Sequence, residues 1–254
     1  MTLNAMIADL ESEHESLDQI VADIDTQKWF APTESPGWII ADQFSHLQFF
    51  DERAALAMNS PEEFGEDRQR LISAAPQDLS IELGRSVSPA ELLDSWRRSR
   101  RELIRAAHLV DPTVRVPWYG PSMAVKSFLT ARLMECWAHG EDIAQALRVH
   151  RDPTARLKHV AHIGVGARAF SLMINRLPED PSSIRVELVS PGGELWAWGD
   201  ESSDQRVTGE ALDFCLVVTQ RRALSQSQLL VVGESATTWM GVAQAFAGAP
   251  TKKK

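Results

Sequence analysis

Up to about residue 177 the apolar residues of this chain recur in steps of three and four, and from Ile184 onward they alternate. The first rhythm lays a stripe along one face of a helix, and the second lays one along one face of a strand. A chain that passes from one to the other is expected to be α+β: an N-terminal up-down four-helix bundle followed by a smaller α+β module.

Leu3, Ile7, Leu10, His14, Leu17, Val21 and Ile24 form an inward seam on a first helix over roughly 3–25. His14 is the only polar member of that seam, so it is either a satisfied core histidine or the border of a buried polar site. Pro32 to Gly37 breaks the chain, and a second helix runs from Trp38 to about residue 58. It carries His46 among Ile39, Gln43, Phe44, Leu47 and Phe50, a setting that points the imidazole inward, where both ring nitrogens need partners. Residues 59–87 are charged and proline-broken and yield no assignable element. Ser88-Pro89-Ala90-Glu91 is a start signal for a third helix to about Leu109, with an N-cap serine, an early proline and a capping-box glutamate. Arg97, Arg98, Arg100 and Arg101 read as its solvated face.

Val116-Pro117-Trp118-Tyr119-Gly120-Pro121 cannot be helical; it is an aromatic loop that either walls a ligand pocket or plugs the end of a bundle. A fourth helix follows over Val125–Leu147, and a fifth begins at Pro153 with His159 and His162, neither expected to bind metal. After Pro178-Glu179-Asp180-Pro181 the alternation of Ile184, Val186 and Leu188 marks a strand, with Leu195–Trp198 as its hairpin partner. A helix Glu210–Gln220, a short run Leu229–Val232 and a helix Thr237–Ala247 complete the module. The change of rhythm places the domain boundary near residue 180, giving domains 1–180 and 181–254.

Within the fourth helix, Arg132, Glu135, His139 and Asp142 are spaced three, four and three residues apart, which stacks them on one face. A carboxylate and an imidazole one turn apart can share a divalent ion, and the inward His46 is the candidate third ligand. The same run is equally an ordinary salt-bridged helix face. Composition narrows the rest. A formal charge of −9, with no basic patch beyond Lys252-Lys253-Lys254, argues against nucleic acid. No apolar run is long enough to span a membrane, and an N-terminus bearing Asp9, Glu11 and Glu13 is not a signal peptide. Cys136 and Cys215 make no disulfide framework, and a cytoplasmic setting fits.

With Trp38 eight residues before His46, and Arg132-x-x-Glu135-x-x-x-His139-x-x-Asp142 later, the chain resembles the mycothiol-dependent maleylpyruvate isomerase family, within the DinB-like metal-binding bundles. The stretch Val207–Arg221 is similar to that family's SCP2-like second domain, in which a Gly-led helix ends in arginine. Asp213-Phe-Cys and Gln244-Ala-Phe-Ala-Gly resemble a metal-binding subfamily of less settled chemistry. The resemblance implies that His46, Glu135 and His139 are the metal ligands, with Arg132 and Asp142 orienting them from outside. It further implies a divalent ion, zinc before iron, nickel or cobalt, and mycothiol as cosubstrate.

Thiol chemistry on a small electrophile, isomerisation or S-transfer, is the leading expectation. Trp118 and Arg132 are then the cofactor-binding candidates. Asp142 or Glu141 is a candidate base, and Arg221 or Arg222 a candidate partner for a carboxylate, which would tie both domains to one active site. Metal-hydroxide hydrolysis or hydration is the competing enzyme class, and a non-catalytic metal or ligand-binding module the third.

Overall fold

Four long helices carry the first part of the chain: α1 (Leu3–Val21), α2 (Ile40–Asn59), α5 (Pro89–Leu109) and α6 (Val125–Leu147). Between them lie α3 (Pro61–Ser73), α4 (Glu82–Ser86) and a two-stranded ribbon of β1 (Arg115–Val116) and β2 (Met123–Ala124). The structure is a computed structural model that describes residues 2–73 and 78–248. The lysine tail noted above lies outside the described residues.

The broadest helix-on-helix packing joins α2 to α5 and α1 to α6, and narrower seams join α2 to α6 and α1 to α5. Although α2 and α5 pack side by side, α1 and α2, like α5 and α6, therefore sit across the diagonals of the bundle. The long connections between them permit this, since a short loop would have forced consecutive helices side by side. The core is built as the helical rhythm requires: Leu17, Ile40, Phe44, Leu47, Leu92 and Trp96 are fully buried, each worth about 1.5–3 kcal/mol. The capping box at Ser88 forms, with its Oγ accepting from Glu91 N at 3.3 Å and Glu91 Oε2 accepting from Ser88 N at 3.0 Å.

The arginines of α5 are not merely solvated. Arg97 and Arg100 both bond Asp18 on α1 and so tie two helices together. The stretch 59–87, unassignable from rhythm, contains α3, α4 and a 3-10 turn at Leu79–Ile81. Gly84 lets α4 lie against α2: a Cβ there would stand 2.5 Å from the Ala41 carbonyl oxygen.

The chain divides into two compact units, Met1–His150 and Arg151–Lys254. The division falls at 150/151, not near the expected 180. The helices α7 (Leu157–Gly166) and α8 (Arg168–Ile174), which periodicity assigned to the bundle, pack instead on elements of the second unit. Gly164 of α7 explains the fit, because a Cβ there would lie 2.7 Å from Val218 Cγ2 on α9 (Ala211–Val218). A bare glycine face lets two helices approach closely.

The sheet of this unit has the order β4 (Leu195–Trp198), β3 (Arg185–Val189), β5 (Arg206–Glu210), β6 (Leu230–Val232). β3 and β4 form the expected hairpin, whereas β3 and β5 run parallel. β5 was not anticipated: its five residues bury only Val207, so no alternation is visible along it. The final helix, α10, spans Glu234–Met240 and ends earlier than expected. Among the described residues no helix is long and apolar enough to cross a membrane.

Candidate metal centre

Glu135 and His139 stand one turn apart on α6, with His139 Nε2 3.4 Å from Glu135 Oε2. α2 packs on α6 and brings His46 to the same place, its ring centroid 4.8 Å from that of His139. One ligand atom from each of His46, Glu135 and His139 lies within 4.8 Å of the other two. His139 is buried, while the Glu135 side chain keeps 26% of its exposure. Burial pushes the Glu135 carboxyl up. The His139 hydrogen bond and the charges of His139, Arg132 and His46 outweigh it and bring the pKa down to about 2. The carboxylate is thus ionised and ready to ligate.

The outer nitrogens of both imidazoles are engaged. His139 Nδ1 meets Gln43 Oε1 in a short contact. A carboxamide oxygen only accepts, so Nδ1 donates to it and Nε2 is the nitrogen that faces Glu135. Gln43 is held in turn, its Nε2 donating to Thr33 Oγ1 at 2.9 Å and that hydroxyl donating to the Trp38 carbonyl at 3.1 Å. His46 Nδ1 lies 2.8 Å from Ser80 Oγ. Two imidazoles and an ionised carboxylate, each steered from outside, form a donor set that fits a divalent ion.

Rings line the approach. Trp38 stacks on His139 at 6.0 Å and 10° and lies 5.1 Å from His46. Phe50 lies 4.6 Å from His46 and 6.1 Å from Trp118, which stacks in parallel on Phe64. The aromatic loop is fastened to α3, where Arg68 donates to the Trp118 carbonyl at 2.8 Å. The loop carrying Trp38 is pinned by Ser35 Oγ donating to Asp142 Oδ2 at 3.1 Å and by Arg85 donating to the Gly37 carbonyl at 3.3 Å.

One turn below Glu135, Arg132 is buried and donates through Nε and a terminal nitrogen to Asp51 Oδ1 at 3.2 and 2.9 Å. Burial pushes the Asp51 carboxyl up, against those bonds. His14 Nε2 lies 3.9 Å from Asp51 Oδ2, and neither His14 ring nitrogen has a hydrogen-bond partner among the described residues. His14 therefore borders a buried polar cluster and is not a satisfied core histidine. Burial, with the charges of Arg100 and Arg132, lowers its pKa to about 3.

The unfolded chain takes up a proton on His14 below about pH 6.5 that the folded chain refuses, so stability is lost as pH falls from there toward about 3. Between about pH 7.5 and 5 the loss assigned to His14 is about 2 kcal/mol. Urea unfolding of the wild type and of His14→Gln across that range checks it. The gap between the two must shrink on the acid side, and a constant gap refutes the assignment.

The three expected ligands come together. Arg132 bonds Asp51 and Asp142 accepts from Ser35, while Gln43 and Ser80 are the residues that meet the outer nitrogens of the two imidazoles. Gln43 precedes His46 by one turn, so its place on the same face was readable; Ser80 sits in the unassignable stretch and gave no signal. In the second unit, Arg222 pairs with Asp213, and Arg221 donates to the Thr219 carbonyl at 2.8 Å. His162 Nδ1 accepts from Trp198 Nε1 at 3.3 Å.

A helical bundle with a two-histidine, one-carboxylate cluster on facing helices, followed by a small mixed sheet, is the class that fold and site define. The chain belongs to the family described as mycothiol maleylpyruvate isomerase N-terminal domain, which matches residues 10–144. Two relatives, uncharacterized proteins of Mycobacterium tuberculosis from strains CDC 1551 / Oshkosh and ATCC 25618 / H37Rv, are each 44% identical over 251 residues, covering 96% of this chain and 96% of the relative. The crystal structure of the mycothiol-dependent maleylpyruvate isomerase is similar in fold, with a TM-score of 0.62 at 14% identity over 100% of this chain and 98% of that one. A point mutant of that enzyme gives a TM-score of 0.61 at 13% identity with the same coverage.

Proposed function

We propose that this protein is a metal-dependent enzyme that uses a low-molecular-weight thiol of the mycothiol type for isomerisation or S-transfer on a small, carboxylate-bearing electrophile. The observation that carries the reading is the convergence of His46, Glu135 and His139 in a chain of this family. A divalent ion bound there, zinc being well suited, supplies a Lewis acid that holds an entering thiol as thiolate at neutral pH. Three protein ligands leave positions for such a guest.

The chain's own residues do the rest. Glu135 contributes the negative charge, and Gln43 keeps His139 turned with Nε2 inward. Trp38 and Phe50 flank the imidazoles with apolar ring faces that exclude water, and Trp118 extends that wall toward the cofactor. Arg132, held by Asp51, acts through its charge on Glu135. Asp142 is the proton acceptor we assign.

For isomerisation, the sulfur bonds to one carbon of the activated double bond and the π pair moves onto the activating carbonyl. Rotation about the new single bond and expulsion of the thiolate restore the double bond in the other geometry. The reading also accords with a reducing cytoplasm, where a thiol cosubstrate persists.

Cobalt-substituted protein titrated with mycothiol tests the reading. A thiolate-to-metal absorption band and thiol-dependent consumption of a maleyl-type electrophile are expected. A cobalt spectrum indifferent to thiol, together with turnover that needs only water, would overturn it in favour of metal-hydroxide chemistry.

A further inference from the structure

His46 meets a hydroxyl that is already committed. Ser80 Oγ lies 2.8 Å from His46 Nδ1 and donates to Asp78 Oδ1 at 2.5 Å. A hydroxyl has one hydrogen, and a carboxylate can only accept, so that hydrogen points at Asp78. The Ser80 lone pair facing His46 must then receive Nδ1–H. This selects the Nδ1–H tautomer and leaves Nε2 as the nitrogen with a lone pair. Ser80 is 3% exposed, and Asp78 Oδ1 also takes its backbone N–H at 3.1 Å, so the hydroxyl is fixed in place. The segment is itself seated on α2, by the close approach of Gly84 and by Arg85 donating to both Asp42 oxygens at 2.9 and 3.0 Å.

We propose that Ser80 and Asp78 are positioning residues for the metal centre, which hold His46 with Nε2 ready for a divalent ion before any ion arrives. The two imidazoles are served unequally. Behind His139 stands a neutral carboxamide, whereas behind His46 stands a carboxylate acting through one hydroxyl. His46 is accordingly the more strongly donating of the pair. The inference rests on the reading of His46, Glu135 and His139 as a metal site.

Two measurements on the full chain test it: ring nitrogen NMR of His46 in metal-free protein, and zinc affinity by competition with a chelator. The wild type should show His46 as Nδ1–H. Ser80→Ala should lose that preference and bind zinc about 10- to 100-fold more weakly. Ser80→Thr, which keeps the hydroxyl, should restore both, and Asp78→Asn should fall between. Wild-type zinc affinity and an unchanged tautomer in Ser80→Ala would overturn the relay; loss of zinc in His46→Ala in the same series would leave the metal site standing. Absence of zinc uptake by the wild type would overturn both readings. If Ser80→Ala does not fold, the wild-type tautomer decides alone, and Nε2–H there refutes the proposal.

Discussion

Replacing His139 by alanine should reduce bound divalent metal from one equivalent per chain to background. The imidazole stands 3.4 Å from Glu135 and 4.8 Å, ring to ring, from His46, and its removal leaves two donors. Loss of an outer-sphere partner alone costs 10- to 100-fold in affinity, so loss of a ligand should cost at least about a hundredfold. The metal-free variant should keep its helical circular dichroism and lose only about 1 kcal/mol of stability. Elemental analysis after dialysis against a weak chelator reads the outcome. Full retention of metal would refute the centre.

Asp51→Ala should destabilise the fold by about 3–5 kcal/mol. Arg132 is 4% exposed and bonds Asp51 at 2.9 Å; without that carboxylate its charge stays buried and unpaired. The double substitution Asp51→Leu with Arg132→Met should recover most of the loss, since apolar side chains of similar volume remove both desolvated charges together. Chemical denaturation of the three proteins measures this. A penalty below about 1 kcal/mol for Asp51→Ala would show that water reaches Arg132. Metal content in the double variant adds a second reading. If Arg132 supports Glu135 through its charge, affinity should fall even where stability has returned.

Much of the bundle was legible because its signals are local. The capping box at Ser88 and the bounds of α5 and α6 depend on residues within a turn of each other, and they appear where the sequence places them. The spacing of Glu135 and His139 is a property of one helix and needed no partner to be read. The stretch 59–87 was opaque for the opposite reason: α3 and α4 are short and polar, and they exist because α2 offers a surface to lie on. The boundary near 180 failed similarly. Periodicity shows that α7 and α8 are helical but not which neighbour their apolar faces will meet.

What the chain determines by itself is which residues can share a helix face or alternate along a strand, because backbone geometry dictates both. Hence the α+β class, the four long helices and the pairing of Glu135 with His139 follow from spacing alone. Only the tertiary structure decided that α2 delivers His46 to that pair, and that Gln43 and Ser80 engage the imidazoles from outside. It also decided that Arg132 turns into the core toward Asp51. Each of these joins residues far apart in the chain, and packing, not sequence proximity, sets their distance.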